Sequence, residues 1–199
     1  MGREIHYFYS RGTKILIFQE TNLKGSYIID VEKIDDERGF FSRSWDKQIF
    51  QEKGLNSNLV QCNISFNKKK GTLRGMHFQV NPFEEIKIVR CLRGRIFDVI
   101  IDLREESETY KEWINVELDD DERKMIYIPE GFAHAYFSLA KLNIIYYKLS
   151  NYYHPRYEDG IIWNDKSLKI KWPIKNPSVS KKDKSLRTLE NFKKKYKYL

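Results

Sequence analysis

From Leu59 onward, apolar and polar positions alternate in short runs that read as one strand after another. In INVEL (114–118), Ile114, Val116 and Leu118 share one face, as expected of a half-buried strand. IFDVIIDL (96–103) places Phe97, Val99, Ile101 and Leu103 on one face. Its other face sets Asp98 and Asp102 between Ile96 and Ile100. Gly94 predicts a tight turn between IKIVRCL and RIFDVIIDL, and DDDE (119–122) a turn before KMIYIP. FAHAYFSL (132–139) and NIIYYKLS (143–150) continue the series. Nearer the N-terminus, KILIF (14–18) and SYIIDVEKI (26–34) are strand candidates, the second ended by DDERG. WDKQIFQEKG (45–54) is the one clear internal helix, with Trp45, Ile49 and Phe50 on one side and Gly54 as its stop. Residues 154–180 read as ordered coil, and 185–199 as a terminal helical segment.

So many short strands with so few helices exclude a parallel α/β sheet. The expected fold is mainly β, an antiparallel barrel or jelly roll with a short internal helix and a C-terminal helical segment. With 199 residues, one domain with a real core suffices. The expected division is an N-terminal extension and first strand at 1–25, a barrel at 26–185 and a basic tail at 186–199.

Composition narrows the function classes. Hydrophobic residues make up 41% and charged residues 32%, an ordinary soluble mixture, and no apolar run is long enough to span a membrane. The N-terminus lacks the apolar core of a signal peptide. Cys62 and Cys91 have no metal or redox spacing and read as free thiols, so a cytoplasmic location is expected. The net charge of +8 is concentrated in part in KKDK (181–184) and KKKYKYL (193–199). This reads as a solvated basic tail rather than a nucleic-acid surface.

Candidate chemistry centres on GTLRGMHFQ (71–79). His77 and His134 are interior histidines, whereas His6 and His154, in terminal and Pro-flanked coil, read as surface residues. His-Phe-Gln at 77–79 lacks a second histidine, so no metal site is expected. Acid–base chemistry remains open: histidine as base, tyrosine as proton donor, lysine or arginine as stabiliser of an enolate or phosphate. His77, Arg74, Lys87, Arg90, His134 and Tyr147 supply the types. Arg74 and His77, three apart, would point to opposite faces of a regular strand unless Gly75 marks a bulge or a strand end.

The chain resembles the dTDP-4-dehydrorhamnose 3,5-epimerase family, a cupin-type group. The likeness is carried by DERGFF (36–41), LRGMHFQ (73–79), KIVRCLRGRIFDVIIDLR (87–104) and IPEGFAHAYFSL (128–139). Further matches are YYKLSNYYHP (146–155), IIWND (161–165), IKWP (170–173) and SKKD (180–183). It implies a double-stranded β-helix barrel. It also implies an epimerase of a nucleotide-diphospho-4-keto-6-deoxysugar that removes the proton alpha to the ketone, at C3, C5 or both, without a metal or redox cofactor. By the same resemblance His77 is the base, Asp183 orients it, Tyr147 reprotonates from the opposite face and Lys87 stabilises the enolate. Arg74 and His134 lie near the substrate's sugar or charged groups. Gln61, Asn63 and Tyr153 sit toward the nucleotide. Arg38 reaches that end from the partner of a homodimer with exchanged N-terminal strands.

Three positions depart from the pattern. Arg43 stands where the family has a nucleotide-side glutamate, exchanging an acceptor for a cation that would face the nucleotide. Cys62 and Ile64 replace an aspartate and a histidine. The nucleotide and sugar preferences therefore stay open. A single-position epimerase or isomerase, and a non-catalytic nucleotide-sugar binder, are the alternatives.

Overall fold

The computed structural model describes residues 16–196. His6, the first two residues of the 14–18 strand candidate and the last three of the terminal helix candidate lie outside them. Two antiparallel sheets face one another. The first has the order β1 (Leu16–Glu20), β2 (Tyr27–Val31), β10 (Met125–Ile128), β7 (Lys87–Arg93), β12 (Asn143–Leu149) and β5 (Gln61–Asn67). The second runs β13 (Glu158–Gly160), β6 (Thr72–Gln79), β11 (Phe132–Ser138), β8 (Arg95–Asp102) and β9 (Trp113–Asp119). β14 (Ser178–Val179) adds to β6 in parallel. This is the expected jelly roll.

The turns behave differently from simple hairpins. Gly94, at φ +86°, does separate β7 from β8, but the two strands belong to opposite sheets. β9 and β10 part in the same way after the acidic turn. Each tight turn thus carries the chain across the sandwich, which is how a jelly roll buries both inner faces.

Alternation decides which side chains line the interior. Ile96 and Ile100 from β8, Leu118 from β9, Phe132 and Tyr136 from β11, and Val89, Cys91 and Ile145 from the other sheet form one buried cluster, with Ile114 and Val116 packed against it. The opposite face of β8, β11 and β6 is buried as well. Ile101, Ala133, Ala135, Met76 and Phe78 meet Ile161, Leu168 and Leu189 there. These strands are therefore covered on both faces, and the residues after 154 provide the cover.

The internal helix α1 (Lys47–Glu52) is shorter than its ten-residue pattern. Asp46 caps it, accepting from the backbone N–H of Gln48 and Ile49, and Gly54 follows it at φ +71°. Phe50 is its fully buried anchor, packed edge-on to Phe18 and tilted against Tyr127. That burial contributes on the order of 2–3 kcal/mol.

DDERG does not end a strand. It turns a small hairpin, β3 (Ile34–Asp36) with β4 (Gly39–Phe41), which pairs with neither main sheet and has every residue of both strands exposed. The coil at 154–180 likewise contributes β13 and β14, both laid on β6. Two further helices follow, α2 (Lys181–Lys184) and α3 (Leu189–Tyr196). His154 is not a surface residue: it is half-buried, with its ring against Phe83 and Tyr157. Cys62 and Cys91 are both free, the first exposed and the second buried. No described helix is long and apolar enough to cross a membrane.

Candidate active site

Between the sheets lies a cavity of about 570 Å³, lined by Arg74, His77, Lys87, His134, Tyr147 and Tyr153, with Asn63, Glu158, Lys182 and Asp183. His77, Arg74 and His134 come from one sheet; Asn63, Lys87 and Tyr147 come from the other. The cavity thus has two chemically distinct walls.

Arg74 and His77 reach the same wall because β6 is irregular between them. His134 pairs with His77 and Tyr136 with Arg74, so three steps on β6 oppose two on β11. The extra residue reverses the alternation. Gly75 occupies the irregularity at φ +121°, where a Cβ would lie 2.6 Å from both the Ala135 side chain and the His134 carbonyl. Only glycine fits that backbone at that distance from its neighbour strand. The peptide between Gly75 and Met76 is cis.

The irregularity also opens a gap in the ladder on the other edge of β6, between β14 and β13. Asp183 fills it. Its Oδ2 accepts from the Gly75 N–H at 3.3 Å, and its Oδ1 lies 2.9 Å from His77 Nε2. Ser180 caps α2 by accepting from the Asp183 N–H, which fixes the approach of the carboxylate. Burial opposes its charge, but the bonds from His77 and Gly75 outweigh this and hold the carboxyl below its usual range. With Nε2–H donated to Asp183, the lone pair of His77 is on Nδ1.

Lys87 donates to the His77 carbonyl at 3.1 Å and pairs with Glu85 at 3.2 Å. Its ammonium is therefore held beside the histidine. Across the cavity Tyr147 lies close to Tyr136 and His134, with ring centroids 6.4 and 6.1 Å away. Burial, reinforced by Tyr136 and Asp98, pushes its hydroxyl well above the ordinary phenol range, while Arg74 pulls the other way. His134 is buried, with Nε2 2.8 Å from Asp98 Oδ2. Arg74 Nε donates to Asn67, whose amide donates to the Tyr136 hydroxyl. Toward the mouth, the Tyr153 hydroxyl donates to Glu158 at 2.6 Å, which raises it to about 12, and Lys182 reaches the same carboxylate oxygen.

Not every expected residue converges. Gln61 lies beside the lining rather than in it: its amide donates to Asn63 and its carbonyl accepts from the Tyr153 N–H. Arg38 sits at the tip of the β3–β4 hairpin, 84% exposed and paired with Asp36, away from the cavity of its own chain. Arg43 pairs with Asp46 at the start of α1, also outside that lining. Arg90 belongs to the outer face of its sheet with Lys148 and Leu92, because β7 alternates and Lys87 takes the inner face. Among the described residues, no three His, Cys, Asp or Glu side chains gather as a metal site. His77 and His134 each turn instead to a separate carboxylate.

Several residues in and behind the lining were not anticipated. Asp98 had a signal, an acid between isoleucines on a buried strand face. Tyr136, Glu158 and Lys182 had none, because their roles depend on which strands lie beside them.

A family model for dTDP-4-dehydrorhamnose 3,5-epimerase matches residues 20–191. The chain belongs to this family. It is a sugar-nucleotide epimerase by that membership. The dTDP-4-dehydrorhamnose 3,5-epimerase of Methanothermobacter thermautotrophicus is 43% identical over 175 residues, covering 86% of this chain and 94% of its own. The crystal structure of the enzyme of that name from Bacillus anthracis, with TDP and PPi bound, superposes with a TM-score of 0.85 at 37% identity, over 87% of this chain and 99% of the other. The dTDP-6-deoxy-D-glucose-3,5-epimerase of Legionella pneumophila, in complex with dTDP-4-keto-L-rhamnose, gives 0.83 at 34% identity, over 88% and 93%.

Proposed function

We propose that the cavity takes a thymidine-diphosphate 4-keto-6-deoxysugar and epimerises it at C3 and C5. The observation that carries this reading is the placement of the two proton-handling groups on opposite sheets. His77 stands on β6 and Tyr147 on β12, facing the same space from two sides. Inversion at a carbon needs a proton removed from one face and delivered to the other.

His77 Nδ1 takes the proton alpha to the C4 ketone. The C–H electron pair becomes the enolate, with its charge on the ketone oxygen. Lys87 supplies positive charge there, since such a proton is acidic enough for histidine only when the enolate is stabilised. Asp183 keeps the His77 ring oriented and stabilises the imidazolium that forms. Tyr147 then delivers its hydroxyl proton to the opposite face. Its raised proton affinity suits a donor that must stay protonated until the enolate is present. His134, oriented by Asp98, and Arg74 hold the sugar and diphosphate, while Asn63 and Tyr153 lie toward the nucleotide with Gln61 behind them.

The partner in this reading is a second copy of the chain. The exchange of N-terminal strands belongs to this reading, and the β3–β4 hairpin that follows β2 offers apolar surface for it. Ile34 and Phe41 are 60% and 66% exposed on it, and Ile64 on β5 is 68% exposed. A dimer would cover these surfaces and bring Arg38, with Arg43 behind it, to the neighbouring nucleotide site. A cytoplasmic location fits a nucleotide-sugar substrate and free thiols.

Product analysis across thymidine-, cytidine-, guanosine- and uridine-diphosphate 4-keto-6-deoxysugars tests the substrate assignment. Turnover of the thymidine compound with inversion at both carbons supports it. Inversion at one carbon, or preference for another base, overturns that part of the assignment.

A further inference from the structure

β13 is a three-residue edge strand, and its Glu158 lines the cavity. Gly160 pairs with His77, and Glu158 pairs with Gln79, on the face that lines the site. So short a strand has few ladder bonds of its own. Asp159, between them, turns to the outer face and is 7% exposed. Its Oδ1 accepts from the Gly160 N–H at 2.7 Å. Its Oδ2 accepts from Arg187 Nη1 at 3.0 Å, Lys195 Nζ at 3.0 Å and the Tyr196 hydroxyl at 2.6 Å. The last two donors come from the final turn of α3. The same helix places Phe192 edge-on to Phe78, 5.0 Å between centroids, directly behind the register partner of Asp159.

The family match ends at residue 191, so Lys195 and Tyr196 lie beyond it. The lysine-dense terminus is therefore not wholly a solvated tail. Lys194 does face outward, to Glu190, but Lys195 is aimed at a buried carboxylate. A charge-assisted bond to such an acceptor is stronger and more directional than a surface pair.

We infer that Lys195 and Tyr196, through Asp159, are positioning residues for substrate binding: they brace β13 so that Glu158 holds Tyr153 and Lys182 at the cavity mouth. This rests on reading the cavity as the nucleotide-sugar site. The brace meets the reacting groups only through the backbone pairing of Gly160 with His77, whereas the His77 side chain is oriented by Asp183 on α2. Loss of the brace should therefore weaken binding and spare the chemical step.

The test uses the full chain with Lys195→Met and Tyr196→Phe combined, and Lys195→Arg as the conservative variant. The expected result is a KM raised about tenfold with kcat within twofold, and a KM near wild type for Lys195→Arg. Affinity for thymidine diphosphate by calorimetry should fall by the same factor, a readout that needs no turnover and so stands apart from the catalytic reading. Unchanged KM and affinity would overturn the inference. So would a fall in kcat at constant KM alongside a lower Tm, which marks a purely structural helix.

Discussion

His77 and Asp183 lie 106 residues apart in the chain, and their side chains meet at 2.9 Å. The same carboxylate accepts the backbone N–H of Gly75, so one aspartate both closes the gap left by the irregular strand and orients the histidine.

Replacing Asp183 with Asn keeps the shape but removes the charge that stabilises an imidazolium. Exchange of substrate protons with solvent should fall about 10²- to 10³-fold in kcat with KM changed by less than threefold, given the usual magnitude of such effects. Steady-state kinetics with an NMR assay of exchange measures both.

Tyr147→Phe separates the two half-reactions. Without the hydroxyl, His77 still removes the proton and returns one from solvent to the same face. Deuterium should enter the substrate while inverted product falls by at least about 10²-fold. Loss of deuterium entry together with inversion would remove Tyr147 from the donor role and place it on the abstraction step.

Gly75→Ala should destabilise the fold by about 3 kcal/mol or more. The added methyl meets Ala135 and the His134 carbonyl at 2.6 Å, and the backbone at φ +121° disfavours any L side chain. Thermal unfolding measures it, and the surviving folded fraction should also lose exchange because Arg74 and His77 no longer share a face.

Much of the barrel was legible because strand periodicity is local. INVEL carries its inward face in its own alternation, and Phe50 on α1 was visible as an apolar anchor; in IFDVIIDL the fully apolar alternate set instead meets the residues after 154, and the set with the two aspartates faces the other sheet. The pairing was not legible. Gly94 reads as a turn whether it joins partners in one sheet or crosses to the other, since only the surrounding strands decide. The hairpin at Ile34–Phe41 has no alternation and reads as a strand end. Within the site, Arg74 and His77 were suggested by type, and Gly75 marked where the strand had to break. Asp183 sits in a lysine run, so physical reading alone would have left it in solvent; the motif resemblance pointed to it. Asp159 and Tyr196 carried no signal because their contact is made only when α3 folds back on β13.

Stability should decline in alkali. Burial raises the Cys91 thiol and the Tyr127 hydroxyl each to about 12. The unfolded chain releases these protons first, so it binds fewer than the native state once pH exceeds the unfolded values of about 8.5 and 10. Stability contributed by each group is thus complete below its unfolded pKa and is lost toward pH 12, by about 1.4 kcal/mol per pH unit and group. Urea unfolding between pH 8 and 11 checks this, and Cys91→Ala should flatten the slope that begins near pH 9.

The central claim is that His77 is the base. Wild-type protein and His77→Asn, each confirmed as folded, are incubated with thymidine-diphosphate 4-keto-6-deoxyglucose in D₂O and followed by proton NMR. The account predicts loss of the C3 and C5 proton signals with wild type and none above the uncatalysed rate with His77→Asn. Exchange by His77→Asn at the wild-type rate would contradict it.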